Sequence, residues 1–239
     1  MHALHKENLP VPASARAIHR KIESLLKDLL AADIPSPLHT DFGVRFSVFL
    51  SLFHRYQNEV LDKYSKQTTC RKGCCYCCNH WVEDVYSFEA TRIADYIKTH
   101  FPERISSIID RCIEDEKHII RLHNIMDSKL HEYRSDSEIV DIDETDLLLA
   151  SYYQLKRPCP LLNDNGTCSI YPARPLTCRV YFSFSDPQLC RPEYINTEEI
   201  PTYLLDLEEE ANLLLDSLHE KYRRNEKSGL RALLIDFLR

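Results

Sequence analysis

The sequence predicts a mainly α protein, a helical bundle interrupted by an irregular, cysteine-rich metal-binding insertion. Three observations lead there. Apolar residues recur at helical spacing over most of the 239 residues. Only 178–184 has strand-like character. Of the 10 cysteines, 9 fall within two short windows, 70–78 and 159–190.

The elements follow in order. Ile18, Ile22, Leu25, Leu26, Leu29 and Leu30 define a first helix, ended by Pro35 and Pro37. Phe42, Phe46, Phe49, Phe53, Tyr56, Val60 and Tyr64 form a long stripe that leads into Cys70. Such stripes are core rather than functional surface. After the first cysteine window, Ser87 is the expected N-cap of a helix with Glu89 in its first turn and Ala90, Ile93, Ala94, Ile97 and Phe101 buried. Pro102 opens a further helix through Ile105, Ile108, Ile109, Cys112, Ile119, Leu122 and Met126. Cys112 lies on its apolar stripe and reads as a core thiol.

Asp136–Glu144 is acidic and expected to be a loop, and a short helix over Asp146–Leu155 delivers the chain to Cys159. Leu204, Leu207, Ala211, Leu214, Leu218 and Tyr222 predict a near-heptad C-terminal helix, followed by an apolar tail at Leu233–Leu238. The Glu208–Glu210 run reads as a solvated face. No repeat or linker divides the chain, so a single helical domain over 1–239 is expected, with a cysteine-cluster core at 70–190 and flanking helices at 14–68 and 197–238.

Composition excludes several functions. The 4 glycines, Gly43, Gly73, Gly166 and Gly229, form no phosphate-binding loop. No nucleophile elbow or H-E-x-x-H motif supports a hydrolase. A net charge of −7 argues against a nucleic-acid or anionic-membrane binder. The N-terminal 20 residues are too polar for a secretory signal, and no run is long and apolar enough to span a bilayer. A cytoplasmic setting is therefore expected, where clustered cysteines serve as ligands more often than as disulfides. Residues 70–80 and 157–191 together carry a net +4, through Arg71, Lys72, Arg157, Arg174, Arg179 and Arg191 against Asp164 and Asp186. That local excess suits anionic thiolate centres.

The first window reads Cys70-Arg71-Lys72-Gly73-Cys74-Cys75-Tyr76-Cys77-Cys78-Asn79-His80. A C-x2-C turn brings two sulfurs to one side of the chain, where they can share a metal. Two such pairs overlap, Cys74 with Cys77 and Cys75 with Cys78. Five sulfurs exceed the four ligands of a tetrahedral ion, which points to a polynuclear centre or two sites. In the second window Cys159, Cys168, Cys178 and Cys190 are accompanied by Pro158, Pro160, Pro172 and Pro175, with a tight-turn signal at Asn165-Gly166. The prolines lower the entropy lost when a metal gathers the ligands.

Around the cysteines, Arg174 and Arg179 are either hydrogen-bond donors to cofactor thiolates or partners of Asp164 and Asp186. His80 is a nitrogen ligand or a neighbour of the site, while Tyr171 and Tyr181 either cover it or pack into the core.

The strings Cys70-x3-Cys74-x2-Cys77-Cys78 and Cys159-Pro160-x-Leu162…Cys168-x-Ile170-Tyr171-x2-Arg174-Pro175-x2-Cys178-Arg179 resemble the YkgJ-type cysteine-cluster family, described as zinc- or iron-chelating. The Glu89-Ala90-x2-Ile93 stretch is similar too. The resemblance implies a ligand set of Cys70, Cys74, Cys77, Cys78, Cys159, Cys168, Cys178 and Cys190, with Cys75 outside the pattern. One longer branch, the flagellin lysine N-methylases, implies an iron–sulfur cluster used with S-adenosylmethionine. Cys70-x3-Cys74-x-Tyr76-Cys77 also matches radical-SAM spacing, but the chain lacks the βα alternation of that barrel. Three functions follow from these readings. The first is chelation of an iron–sulfur cluster or zinc, with iron–sulfur favoured by the number of sulfurs. The second is SAM-linked methyl transfer on a cluster, and the third a zinc-clipped helical interaction module.

Overall fold

The computed structural model describes residues 10–71, 73–136, 144–194, 202–224, 227 and 229–239. It is mainly α, with seven α-helices and one two-stranded antiparallel ribbon among the described residues. The helices are α1 (Ala13–Ala31), α2 (Thr40–Lys63), α3 (Ser87–His100), α4 (Ile105–Asp136), α5 (Glu144–Gln154), α6 (Glu209–Tyr222) and α7 (Leu230–Leu238).

Two apolar cores organise them. In the first, α2 and α6 pack on α1 through Ile22, Leu26, Leu29, Phe42, Phe46, Phe49, Phe53, Ala211, Leu215 and Leu218. The aromatic residues of α2 fall at i, i+3 and i+4, so their rings meet in series; Phe46 and Phe49 lie 5.4 Å apart. In the second core, Ala90, Ile93, Ala94 and Ile97 of α3 meet Ile108 and Cys112 of α4 and Leu230, Leu233, Leu234 and Leu238 of α7. Helix α3 joins the two, because Phe88 at its start packs edge-on against Phe46 at 5.6 Å.

Several boundaries differ from the sequence expectation. The N-cap of α3 is Tyr86, and Ser87 is the first helical residue. Side chains from within and outside the helix serve the donors at this start. The Glu89 carboxylate accepts from the Tyr86 N–H at 3.3 Å, and His219 Nδ1 accepts from the Ser87 N–H at 2.9 Å. Helix α5 starts at Glu144 and ends at Gln154. The expected acidic loop lies largely outside the described residues, with Asp136 closing α4 and Glu144 opening α5.

Leu204 and Leu207 precede α6. Leu204 belongs to β2 (Thr202–Leu204), which pairs with β1 (Tyr181–Ser183) in the register Tyr181↔Leu204, Phe182↔Tyr203 and Ser183↔Thr202. The backbone ladder extends this segment, continued by Leu205 N–H donating to the Val180 carbonyl at 2.9 Å. Cys178, expected to be strand-like, instead closes a 3-10 turn over Leu176–Arg179. The apolar tail is helix α7. Among the described residues no helix is long and apolar enough to cross a membrane.

Candidate metal centre

The cysteines sit on short turns between these helices. Cys77 and Cys78 lie on a 3-10 turn over Tyr76–Asn79, and Cys190 closes another over Pro187–Cys190. Proline sets two of the cysteine-bearing turns, since its fixed φ suits a helix start. Pro187 begins the turn that ends in Cys190, and Pro175 caps the turn that carries Cys178. The expected Asn165-Gly166 turn forms. Gly166 adopts φ +76°, and a bridge between Leu162 and Cys168 folds the chain back on itself.

Backbone hydrogen bonds join the two windows. Cys159 N–H donates to the Cys78 carbonyl at 2.7 Å. Thr69 donates from its N–H to the Ser183 carbonyl at 2.9 Å and from its hydroxyl to the Ser185 carbonyl at 2.7 Å, which brings Cys70 beside β1. The Tyr153 hydroxyl donates to the Cys190 carbonyl, and its ring stacks on His80 at 3.8 Å. Burial pushes His80 down to about 4, so it is a neutral imidazole.

Electrostatic coupling divides the sulfurs into two neighbouring groups. Cys159 and Cys178 are coupled to each other, and both are coupled to Cys78 and to Cys168. Cys70, Cys74 and Cys190 form the second group. Cys77 touches both. Among the described residues no three His, Cys, Asp or Glu side chains stand as the ready ligands of one ion. The arrangement is a gathering of thiols rather than a finished cage. Cys75 stands against the Gly166 turn, whose Cβ position is 3.5 Å from its sulfur. Cys112 is buried in the second core.

Burial raises Cys74, Cys159 and Cys168 above the ordinary thiol range, and backbone donors offset only part of that rise. Backbone N–H groups point at sulfur, from Tyr76 to Cys74, Leu161 to Cys159 and Ile170 to Cys168, while Ser183 N–H reaches Cys70 Sγ at 3.4 Å. Such donors stabilise the anion. Burial opposes them and pushes Cys178 well above the ordinary thiol range. At Cys77 the balance tips the other way. The Cys78 thiol donates to it and lowers it to about 7, assisted by Arg174, while Cys78 keeps its proton. Cys77 and Cys178 have open surface although protein surrounds them, as expected of groups lining a recess.

The arginines divide by role. Arg174 lies over the Tyr171 ring at 4.3 Å and acts electrostatically on Cys77, Cys168 and Cys178. Its Nε is buried with no hydrogen-bond partner. An orphaned cationic donor among thiols is the environment an anionic, thiolate-held metal would complete. The donor set fits such a group. Arg179 turns to the backbone instead, donating to the Arg174 carbonyl at 3.0 Å and the Pro172 carbonyl at 2.9 Å. It shapes the loop that carries Arg174. Tyr171 and Tyr181 are both exposed.

Two residues escaped the sequence reading as parts of the site. Glu89 is buried, and its Oε1 accepts from the Leu176 N–H at 2.8 Å, tying α3 to the turn that carries Cys178. Arg231, on α7, is the strongest countercharge at Cys159. Its signal was a cation between leucines on an apolar helix.

Comparison with curated proteins and with solved structures yields no match. The family model named CxxCxxCC, "Putative zinc- or iron-chelating domain", matches residues 69–201 and so takes in both cysteine windows and the turns that join them. This chain belongs to that zinc- or iron-chelating, CxxCxxCC family.

Proposed function

We propose that the chain binds a metal centre through the thiolates of Cys70, Cys74, Cys77, Cys78, Cys159, Cys168, Cys178 and Cys190, and that this centre is an iron–sulfur cluster or another polynuclear assembly. One observation carries the reading above all. The buried, unpartnered Nε of Arg174 stands among Cys77, Cys168 and Cys178, where it lacks an anion to serve. Eight sulfurs exceed the four that a tetrahedral zinc or a single four-cysteine cluster requires. Their division into two coupled groups suits more than one metal. Bound iron–sulfur would supply one-electron redox chemistry, whereas zinc would supply a structural clip. A cytoplasmic, reducing setting belongs to this reading, since it keeps the thiols available.

The test is anaerobic purification followed by iron, acid-labile sulfide and zinc analysis with an absorption spectrum. Iron and sulfide in matching amounts, with broad absorption near the blue end of the visible range, are expected. A colourless protein with stoichiometric zinc and no iron would remove the cluster.

A second reading treats the metal as a structural clip. Leu176 and Val180 flank Cys178 in the first core, while Leu161 and Ile170 flank Cys159 and Cys168 in the second. A metal held by these cysteines would staple the two cores. Chelation should then speed amide hydrogen exchange in the 3-10 turns and in α3 while α2 stays protected. Unaltered protection throughout would discard the clip.

A further inference from the structure

Arg231 is 0% exposed, in the first turn of α7 among Leu230, Leu233 and Leu234. A guanidinium taken out of water is costly unless its donors are satisfied. This one is served on one edge only. Its Nε donates to Asp115 Oδ2 at 2.7 Å, and its plane lies over the Trp81 ring at 4.7 Å and the Tyr152 ring at 5.2 Å. Both terminal nitrogens are buried and have no hydrogen-bond partner among the described residues. Asp115 is shared with a second cation, its Oδ1 accepting from Arg157 Nε at 2.6 Å. Arg157 in turn reaches outward to Glu114 at 3.1 Å.

Cys159 packs against the core cluster that contains Leu230, Leu233 and Leu234, the neighbours of Arg231. Glu116 lies within electrostatic reach of the guanidinium, with a buried, unpartnered Oε1 of its own, yet the two side chains make no hydrogen bond. The placement is rigid. Leu230 N–H donates to the Val82 carbonyl at 2.8 Å, locking the start of α7 to the segment that leaves the first cysteine window.

We infer that Arg231 is a positioning residue of the metal centre: its free terminal nitrogens donate to the Cys159 thiolate when Cys159 binds metal, and its charge offsets the anionic sulfur. This rests on the metal-binding reading above. When metal binds, the Cys159 thiol proton leaves to solvent, sulfur bonds to the metal, and no electron moves. The guanidinium then holds the sulfur through hydrogen bonds, as outer partners of metal ligands do. Helix α7 lies outside the 69–201 region of the family match, so this chain completes its site with a residue from beyond the shared domain.

The experiment titrates the full chain with zinc against a chromogenic chelator, and with cobalt(II), whose sulfur charge-transfer absorption counts thiolate ligands. Arg231→Met should weaken zinc binding about tenfold or more, and Arg231→Lys by less. In a Cys159→Ser background the Arg231→Met effect should vanish. Since Arg231→Met strands Asp115, the double variant Arg231→Met with Asp115→Asn is measured beside it, with far-UV circular dichroism to establish folding. Folded variants that bind zinc as the wild type does, or that lose the same affinity whether or not Cys159 is present, make Arg231 a fold-stabilising partner of Asp115 and overturn the inference. Loss on Glu116→Gln equal to that on Arg231→Met would place the missing partner at Glu116 and likewise overturn it. A wild-type chain whose cobalt complex lacks sulfur charge transfer would remove the metal reading itself, and this inference with it.

Discussion

The core of α1, α2 and α6 and the cysteine-bearing turns are held together by different physics. The core buries contiguous apolar side chains, with the stacked phenylalanines of α2 along its length. Beside the buried Glu89 carboxylate, the turns gather exposed and half-buried thiols and arginines, fixed by backbone hydrogen bonds and by Pro175 and Pro187. Dispersion and the hydrophobic effect tolerate approximate geometry, whereas a polar network penalises each missing partner. The first region therefore sets stability and the second sets chemistry.

That division can be broken by substitution. Phe49→Ala, in the fully buried middle of α2, should cost about 3–5 kcal/mol of unfolding free energy by denaturant titration. The folded fraction should retain its metal content. Loss of metal from still-folded protein would show that the two regions are not separable.

Glu89 connects the regions and gives a pH dependence. Burial raises it from 4.5 to about 7, so its folded form favours the proton. The stability this contributes is fully present below 4.5 and is lost as pH rises through about 7. Glu89→Gln should flatten the stability profile across that window, by at most about 3 kcal/mol. An unchanged slope would mean that the N–H groups of Tyr86 and Leu176 compensate the buried charge. Cys75→Ser should have the smallest effect, with metal content unchanged, because the Cys75 sulfur packs against the Gly166 turn. A fall in metal content would instead favour the overlapping Cys75/Cys78 pair.

The same contrast governs what the sequence disclosed. The stripes of α1 and α2 were legible because a helix repeats every few residues and its buried face repeats with it. The cysteine windows were legible because ligand spacing is local. Leu204 was misplaced in a helix because its apolar spacing runs on into α6, while its pairing with Tyr181 is set at long range. The Arg231–Asp115 contact joins residues 116 apart, and nothing in either segment announces the other. Ser87 read as a cap for a similar reason, since His219, from a distant helix, supplies the acceptor.

The central claim is that thiolates from both windows bind the metal. X-ray absorption at the edge of the metal found in anaerobically purified protein tests it most directly. An all-sulfur first shell, at about 2.3 Å if the metal is zinc, is the predicted result. A first shell dominated by nitrogen or oxygen would contradict it.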